Sequence, residues 1–164
     1  YTGYAAFNGP FVIRYPRGKG EMKDWRNEMQ VLPIGKGKKL RDGDDIAVLS
    51  IGPIGNEVIK AIEMVKEEGV SIAHYDMIYL KPLDEELLHE IGRKYNRIIT
   101  VENGVIKGGF GSAVLEFMAD NGYTPHVKRI GVPDAFIEHG SIPELYQLCG
   151  MDAESIAKQL KKEN

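Results

Sequence analysis

Ile46-Ala47-Val48-Leu49-Ser50-Ile51 decides the fold. The run is apolar almost without interruption, so it shows no two-residue alternation. It reads as a strand covered on both faces, the kind found inside parallel sheets. Toward the C-terminus, Gly52 to Gly69 places Ile54, Val58, Ile62 and Val65 at helical spacing and ends on glycine. Val70 to Tyr79 is β-rich and closes at Lys81-Pro82. Asp84 to Tyr95 reads as a helix with Leu83, Leu87, Leu88 and Ile91 inward. Arg97 to Val101 is a third strand, and Ser112 to Asp120 a helix with Val114, Leu115 and Met118 inward. His126 to Val132 is a fourth strand. Ser141 with Glu144 forms a capping box, and Asp152 caps a last helix through Leu160. Alternation of strand and helix joins parallel strands by right-handed crossovers. The expected fold is α/β, an open, mostly parallel sheet with helices on both faces.

Toward the N-terminus the pattern weakens. Residues 19–45 are charged and glycine-containing and read as a linker, with Val31-Leu32-Pro33-Ile34 as a short edge-strand candidate. Between Arg14 and Arg41 stand nine Lys or Arg and three acidic residues, either a solvated connection or an anion-binding surface. Phe11-Val12-Ile13 is a second strand candidate, ended by Pro16 and Gly18. The chain opens on Tyr1 rather than methionine, which reads as a piece of a longer protein.

Bulk properties bound the function. With 164 residues, 43% hydrophobic and 27% charged, the chain belongs to the soluble globular class. No apolar run approaches the roughly 18 residues that span a bilayer, and no signal peptide is visible. A net charge of −3 points to neither nucleic acid nor membrane as partner. The single cysteine, Cys149, allows no internal disulfide, suits a reducing cytoplasm and reads as core filler.

Chemistry is sparse. Gly35-Lys36-Gly37 lacks the third glycine of a dinucleotide loop. Gly108-Gly109-Phe110-Gly111 lies between a strand and a helix; it serves close packing or cradles an anion at the helix start. His74, His89, His126 and His139 are not at metal-ligand spacing. Glu102 and Asn103 end the third strand at the sheet's carboxyl edge, where ligands bind in such folds. Glu138-His139-Gly140 falls near the same edge, as a proton-transfer pair or as a polar loop.

Five segments in order resemble one family and together cover almost the whole chain. They are Gly9-Pro10-Phe11-Val12-Ile13-Arg14-Tyr15-Pro16-Arg17-Gly18, Leu32 to Gly37, Tyr79-Leu80-Lys81-Pro82-Leu83-Asp84, Thr100 to Ser112, and Gly131-Val132-Pro133-Asp134-Ala135-Phe136-Ile137-Glu138-His139-Gly140. They are similar to the 1-deoxy-D-xylulose-5-phosphate synthase family of thiamine-diphosphate enzymes. Two of the segments, Tyr79 to Asp84 and the glycine-rich block, are shared with transketolases and 2-oxoacid dehydrogenase β subunits, the alternative assignments. A non-catalytic interaction domain is a further alternative.

The resemblance implies residues 1–18 as the tail of a pyrimidine-binding domain, 19–45 as linker, and 46–164 as a transketolase C-terminal domain. That domain has a five-stranded sheet with one antiparallel edge. The implied reaction condenses pyruvate with glyceraldehyde 3-phosphate with loss of CO2. It uses thiamine diphosphate and Mg2+ in a cytoplasmic homodimer. Arg17 matches the arginine that binds the aldehyde's phosphate, a role suited to a forked guanidinium. No residue here matches the cofactor-activating glutamate or the metal motif. The expectation is therefore no catalytic residue, cofactor or metal ligand within the chain, and a fragment inactive by itself.

Overall fold

The computed structural model describes residues 1–16, 20 and 26–161. The chain divides into two compact units, Tyr1–Ile34 and Gly35–Asn164.

The first unit contains one short helix, α1 (Thr2–Ala5). Leu32 N–H donates to Thr2 Oγ1 at 2.9 Å, and Phe7 meets Phe11 edge to face at 5.6 Å. Neither strand candidate forms a strand: 11–13 and 31–34 are irregular or turn, and Val12 is 92% exposed. A strand needs a neighbour for its N–H and C=O groups. The described residues of this unit offer none.

The second unit carries a five-stranded sheet in the order β1-β3-β2-β4-β5. The strands are β1 (Lys38–Arg41), β2 (Ile46–Ile51), β3 (Ile72–Asp76), β4 (Arg97–Val105) and β5 (His126–Val132). All neighbours run parallel except β1, which pairs antiparallel with β3. β1 lies inside the stretch expected to be linker, and the unit begins at Gly35 rather than at 46. Its four side chains are all exposed, so no apolar alternation announces it.

Alternation along β2 builds two cores. Ile46 and Val48 join helix α2 (Gly55–Met64) and helix α6 (Ala153–Leu160) on one face. Ala47 and Leu49 join α3 (Glu85–Lys94) and α4 (Phe110–Asp120) on the other. Burial on both faces explains why β2 reads as a continuous apolar run. Along α2 and its two flanking caps, the four residues expected inward, Ile54, Val58, Ile62 and Val65, are all buried. A 3-10 turn, Lys66–Glu68, then ends at Gly69 with φ +68°. In α3, Asp84 caps the first turn, with acidic Glu85 and Glu86 at its start and Arg93 and Lys94 at its end, as the helix dipole favours. Leu115 of α4 corrects an expectation. It is 41% exposed, because the covered stripe runs through Phe110, Val114 and Met118 at four-residue steps. The last helices start as expected, α5 (Ile142–Leu148) with the Ser141–Glu144 capping box and α6 with Asp152. Cys149 is half-buried against the α2–α6 core. Among the described residues, no helix is long and apolar enough to cross a membrane.

Candidate functional site

β2 connects through α2 to β3 on one side, and β3 returns through α3 to β4 on the other. The sheet's switch point thus lies between β2 and β4, and its carboxyl edge is where the fold would hold a ligand. Glu102 stands there, 5% exposed. Its carboxylate accepts hydrogen bonds from Phe110 N–H and Gly111 N–H, both at 2.8 Å. These donors belong to the first turn of α4, which has no carbonyl partner for them.

The glycine-rich turn and Glu102, read separately in the sequence, are one object. The anion at the helix start is the chain's own carboxylate. Glycine is required for the approach: a Cβ on Gly109 would lie 2.3 Å from Glu102 Oε2, and one on Gly111 would lie 2.5 Å from Thr100 Oγ1. Close packing and anion binding are both served, with no position left for an external phosphate on those donors. The remote cap also explains why α4 begins at Phe110 rather than at Ser112.

Behind the turn, Arg129 of β5 donates through Nη1 to Ile106 O at 2.9 Å and to Ser112 Oγ at 2.8 Å. Ser112 Oγ donates to Ile106 O and accepts from Gly108 N–H, each at 3.0 Å. Sequence reading missed Arg129. Its one signal is a charged residue on the inward register of β5, where Val127 and Arg129 are half-buried between exposed His126 and Lys128. Asn103 Nδ2 donates to Tyr146 Oη at 3.2 Å, tying the end of β4 to α5.

The other candidates separate from this edge. Glu138 and His139 are exposed, and among the described residues the hydrogen bonds that Glu102 accepts come from Phe110 and Gly111 rather than from this loop. His74 is buried on the α2 side, where its Nε2 meets Ser50 Oγ at 2.9 Å. Burial pushes its imidazole down to about 4. Asp76, two residues on, has its carboxyl pushed up by burial against opposing backbone hydrogen bonds. His89 meets Tyr123 Oη at 3.0 Å and the edge of Phe117. Lys36 of the Gly35–Gly37 loop contacts Asp84 and Glu86, acidic partners unsuited to a phosphate loop. Arg17 lies outside the described residues. Among the described residues, no three His, Cys, Asp or Glu side chains converge to hold a metal ion.

Comparison with known proteins places this arrangement. The chain is 98% identical over its whole length to the 1-deoxy-D-xylulose-5-phosphate synthase of Parabacteroides distasonis, covering 26% of that protein. It is 60% identical to the protein of the same name from Bacteroides thetaiotaomicron, covering 99% of this chain and 25% of that protein. The chain therefore spans about a quarter of the length of these relatives. Among solved structures, one described as "Split gene transketolase, inactive beta4 tetramer" superposes with a TM-score of 0.71 at 31% identity. That match covers 81% of this chain and 45% of the other. A transketolase from Campylobacter jejuni shares the fold with a TM-score of 0.57 at 13% identity, over 76% of this chain and 18% of the other. The profile of the family described as "Transketolase, C-terminal domain" matches residues 35–156, starting where the sheet unit starts. The chain belongs to the transketolase C-terminal domain family.

Proposed function

We propose that this chain is the C-terminal part of a 1-deoxy-D-xylulose-5-phosphate synthase, in which its sheet unit supports catalysis carried out by the rest of the polypeptide. The observation that carries the reading is 98% identity across all 164 residues to a protein of that name. In this reading the parent condenses pyruvate with glyceraldehyde 3-phosphate and releases CO2. It works as a cytoplasmic homodimer with thiamine diphosphate and Mg2+. Residues 1–18 end the preceding pyrimidine-binding domain, and the sheet unit is the domain that follows.

The described residues do not fit a diphosphate–magnesium site. The glycine turn that could receive an anion is filled by Glu102, and no metal cluster forms among the described residues. No step of the reaction is therefore assigned to them. The one residue assigned to substrate is Arg17, whose guanidinium offers paired donors to the phosphate of glyceraldehyde 3-phosphate.

The test is an assay of CO2 release from pyruvate plus glyceraldehyde 3-phosphate, with both cofactors supplied. The 164-residue chain alone should give none, and the full-length protein carrying it should turn over. Turnover by the chain alone would overturn the reading. In the full-length protein, Arg17→Ala should raise the KM for glyceraldehyde 3-phosphate far more than that for pyruvate. Equal effects on both would reject the phosphate role.

A further inference from the structure

The edge strand β1 poses a physical problem. Lys38, Lys39, Leu40 and Arg41 are all exposed, so no buried side chain selects their register on β3. Strands without a buried face slip easily, because register is normally set by which side chains must be inside. β1 even carries an irregularity between Lys39 and Arg41. It is nevertheless paired, Lys38 with Asp76 and Lys39 with Tyr75.

Something outside the strand must fix it, and the residues just before it are held by one carboxylate. Asp84, 6% exposed, divides its two oxygens. Oδ1 accepts from Leu87 N–H at 3.2 Å and caps α3. Oδ2 accepts from Gly37 N–H at 2.9 Å, one residue before β1 begins. Lys36 Nζ lies 3.4 Å from Oδ1 and also bonds Glu86. The flanking glycines fit tightly. A Cβ on Gly35, at φ +70°, would lie 2.8 Å from Pro82 Cγ. One on Gly37 would lie 2.9 Å from Leu87 Cδ2 and 3.1 Å from Asp76 O. Gly35-Lys36-Gly37 and Lys81-Pro82-Leu83-Asp84, unconnected in the sequence, are thus two halves of one clasp. Past the other end of β1, Gly43 O accepts from Tyr95 Oη at 2.7 Å and Lys94 Nζ at 2.9 Å.

We propose that Asp84 is the register pin of the antiparallel edge strand, clasping Gly37 so that β1 meets β3 in one alignment. The helix-capping role is separable from the pinning role. Asp84→Asn keeps the cap, since Asn and Asp cap about equally well. With the carbonyl of the substituted side chain turned to Leu87 in place of Oδ1, its amide would stand in place of Oδ2 and present a donor to the Gly37 N–H, and the clasp would be lost.

The experiment is residue-resolved hydrogen exchange on the 164-residue chain and its Asp84→Asn variant. Exchange at Gly37 should accelerate at least about tenfold, with the protected amides of 38–41 following, while Leu88 and Ile91 of α3 keep their wild-type rates; tenfold corresponds to the loss of one ordinary hydrogen bond. Unchanged exchange at 37–41 would overturn the proposal. So would equal acceleration across β1, α3 and β2, since Asp84 would then be only a cap or a global stabiliser. Should Asp84→Asn fail to fold, Asp84→Ser gives the same reading, because serine also caps but has a single oxygen to share.

Discussion

Gly111 and Glu102 are nine residues apart and joined by a 2.8 Å hydrogen bond from the glycine N–H to the carboxylate, with Phe110 N–H bonded equally closely. Removing that carboxylate leaves two buried donors at the start of α4 without a partner. An unsatisfied buried donor costs about 1–3 kcal/mol, and a lost cap about 0.5–2 kcal/mol. Glu102→Ala should therefore lower unfolding free energy in urea by about 3 kcal/mol, counting the overlap of the two effects. Glu102→Gln, which keeps one acceptor, should lose less than half as much. An alanine variant within about 0.5 kcal/mol of wild type would show the cap to be idle.

The same pair shows what is legible in the sequence. Alternation of strands and helices from Ile46 onward is written in local periodicity, and the mostly parallel sheet follows from it. Local caps such as Ser141–Glu144 and Asp152–Ser155 are readable for the same reason, since their partners sit three residues apart. The Glu102 cap and the Asp84–Gly37 clasp join residues 8 to 47 apart, and nothing in local spacing reports them. β1 is illegible because an edge strand with every side chain in solvent carries no apolar signal. The strand expected at Phe11–Ile13 rests on side-chain type alone, and among the described residues it has no hydrogen-bonding neighbour of the kind a strand requires.

Gly43 sets the tightest backbone approach at the amino edge of the sheet. A Cβ there would lie 2.2 Å from both Ala73 N and Ile72 C, atoms of a central strand that cannot move aside. Its carbonyl also anchors Tyr95 and Lys94. Gly43→Ala should cost at least about 3 kcal/mol, the upper range for overpacking, or prevent folding at about 37 °C. Gly20→Ala, where a Cβ meets nothing within 4 Å, should stay within about 0.5 kcal/mol of wild type. Thermal melts of the two variants side by side give the comparison, and similar midpoints would refute the packing argument.

His74 makes stability depend on pH in a stated direction. Its folded-state value is about 4 against 6.5 when unfolded, because burial disfavours the imidazolium. Between these values the unfolded chain holds a proton that the folded chain refuses. Stability is therefore fully present above 6.5 and is lost as pH falls toward 4, by about 3 kcal/mol at roughly 1.36 kcal/mol per pH unit. Asp76 acts in the opposite sense. Burial raises its carboxyl, so its contribution grows as pH falls. His74→Gln, which retains a polar atom toward Ser50 Oγ and does not titrate, isolates the imidazole. Wild type should lose about 3 kcal/mol more than His74→Gln between about pH 7 and pH 4. Parallel stability curves would remove His74 from the account.

Arg129 and Ser112 share one acceptor, and that sharing predicts non-additive behaviour. Arg129 Nη1 and Ser112 Oγ both donate to Ile106 O, and Arg129 also donates to the serine oxygen. Arg129→Met keeps an apolar stem beside Gly111 and removes the guanidinium. Ile106 O is still served by Ser112, so the single change should cost only about 1–2 kcal/mol. Ser112→Ala alone leaves Arg129 on Ile106 O but strips Gly108 N–H of its acceptor, with a similar cost. The double variant leaves Ile106 O with neither donor. A double-mutant cycle in urea should then return a coupling energy of about 1 kcal/mol, within the range for residues in one network. A coupling indistinguishable from zero would mean that the glycine turn is held by Glu102 alone, with Arg129 contributing only the packing of its stem.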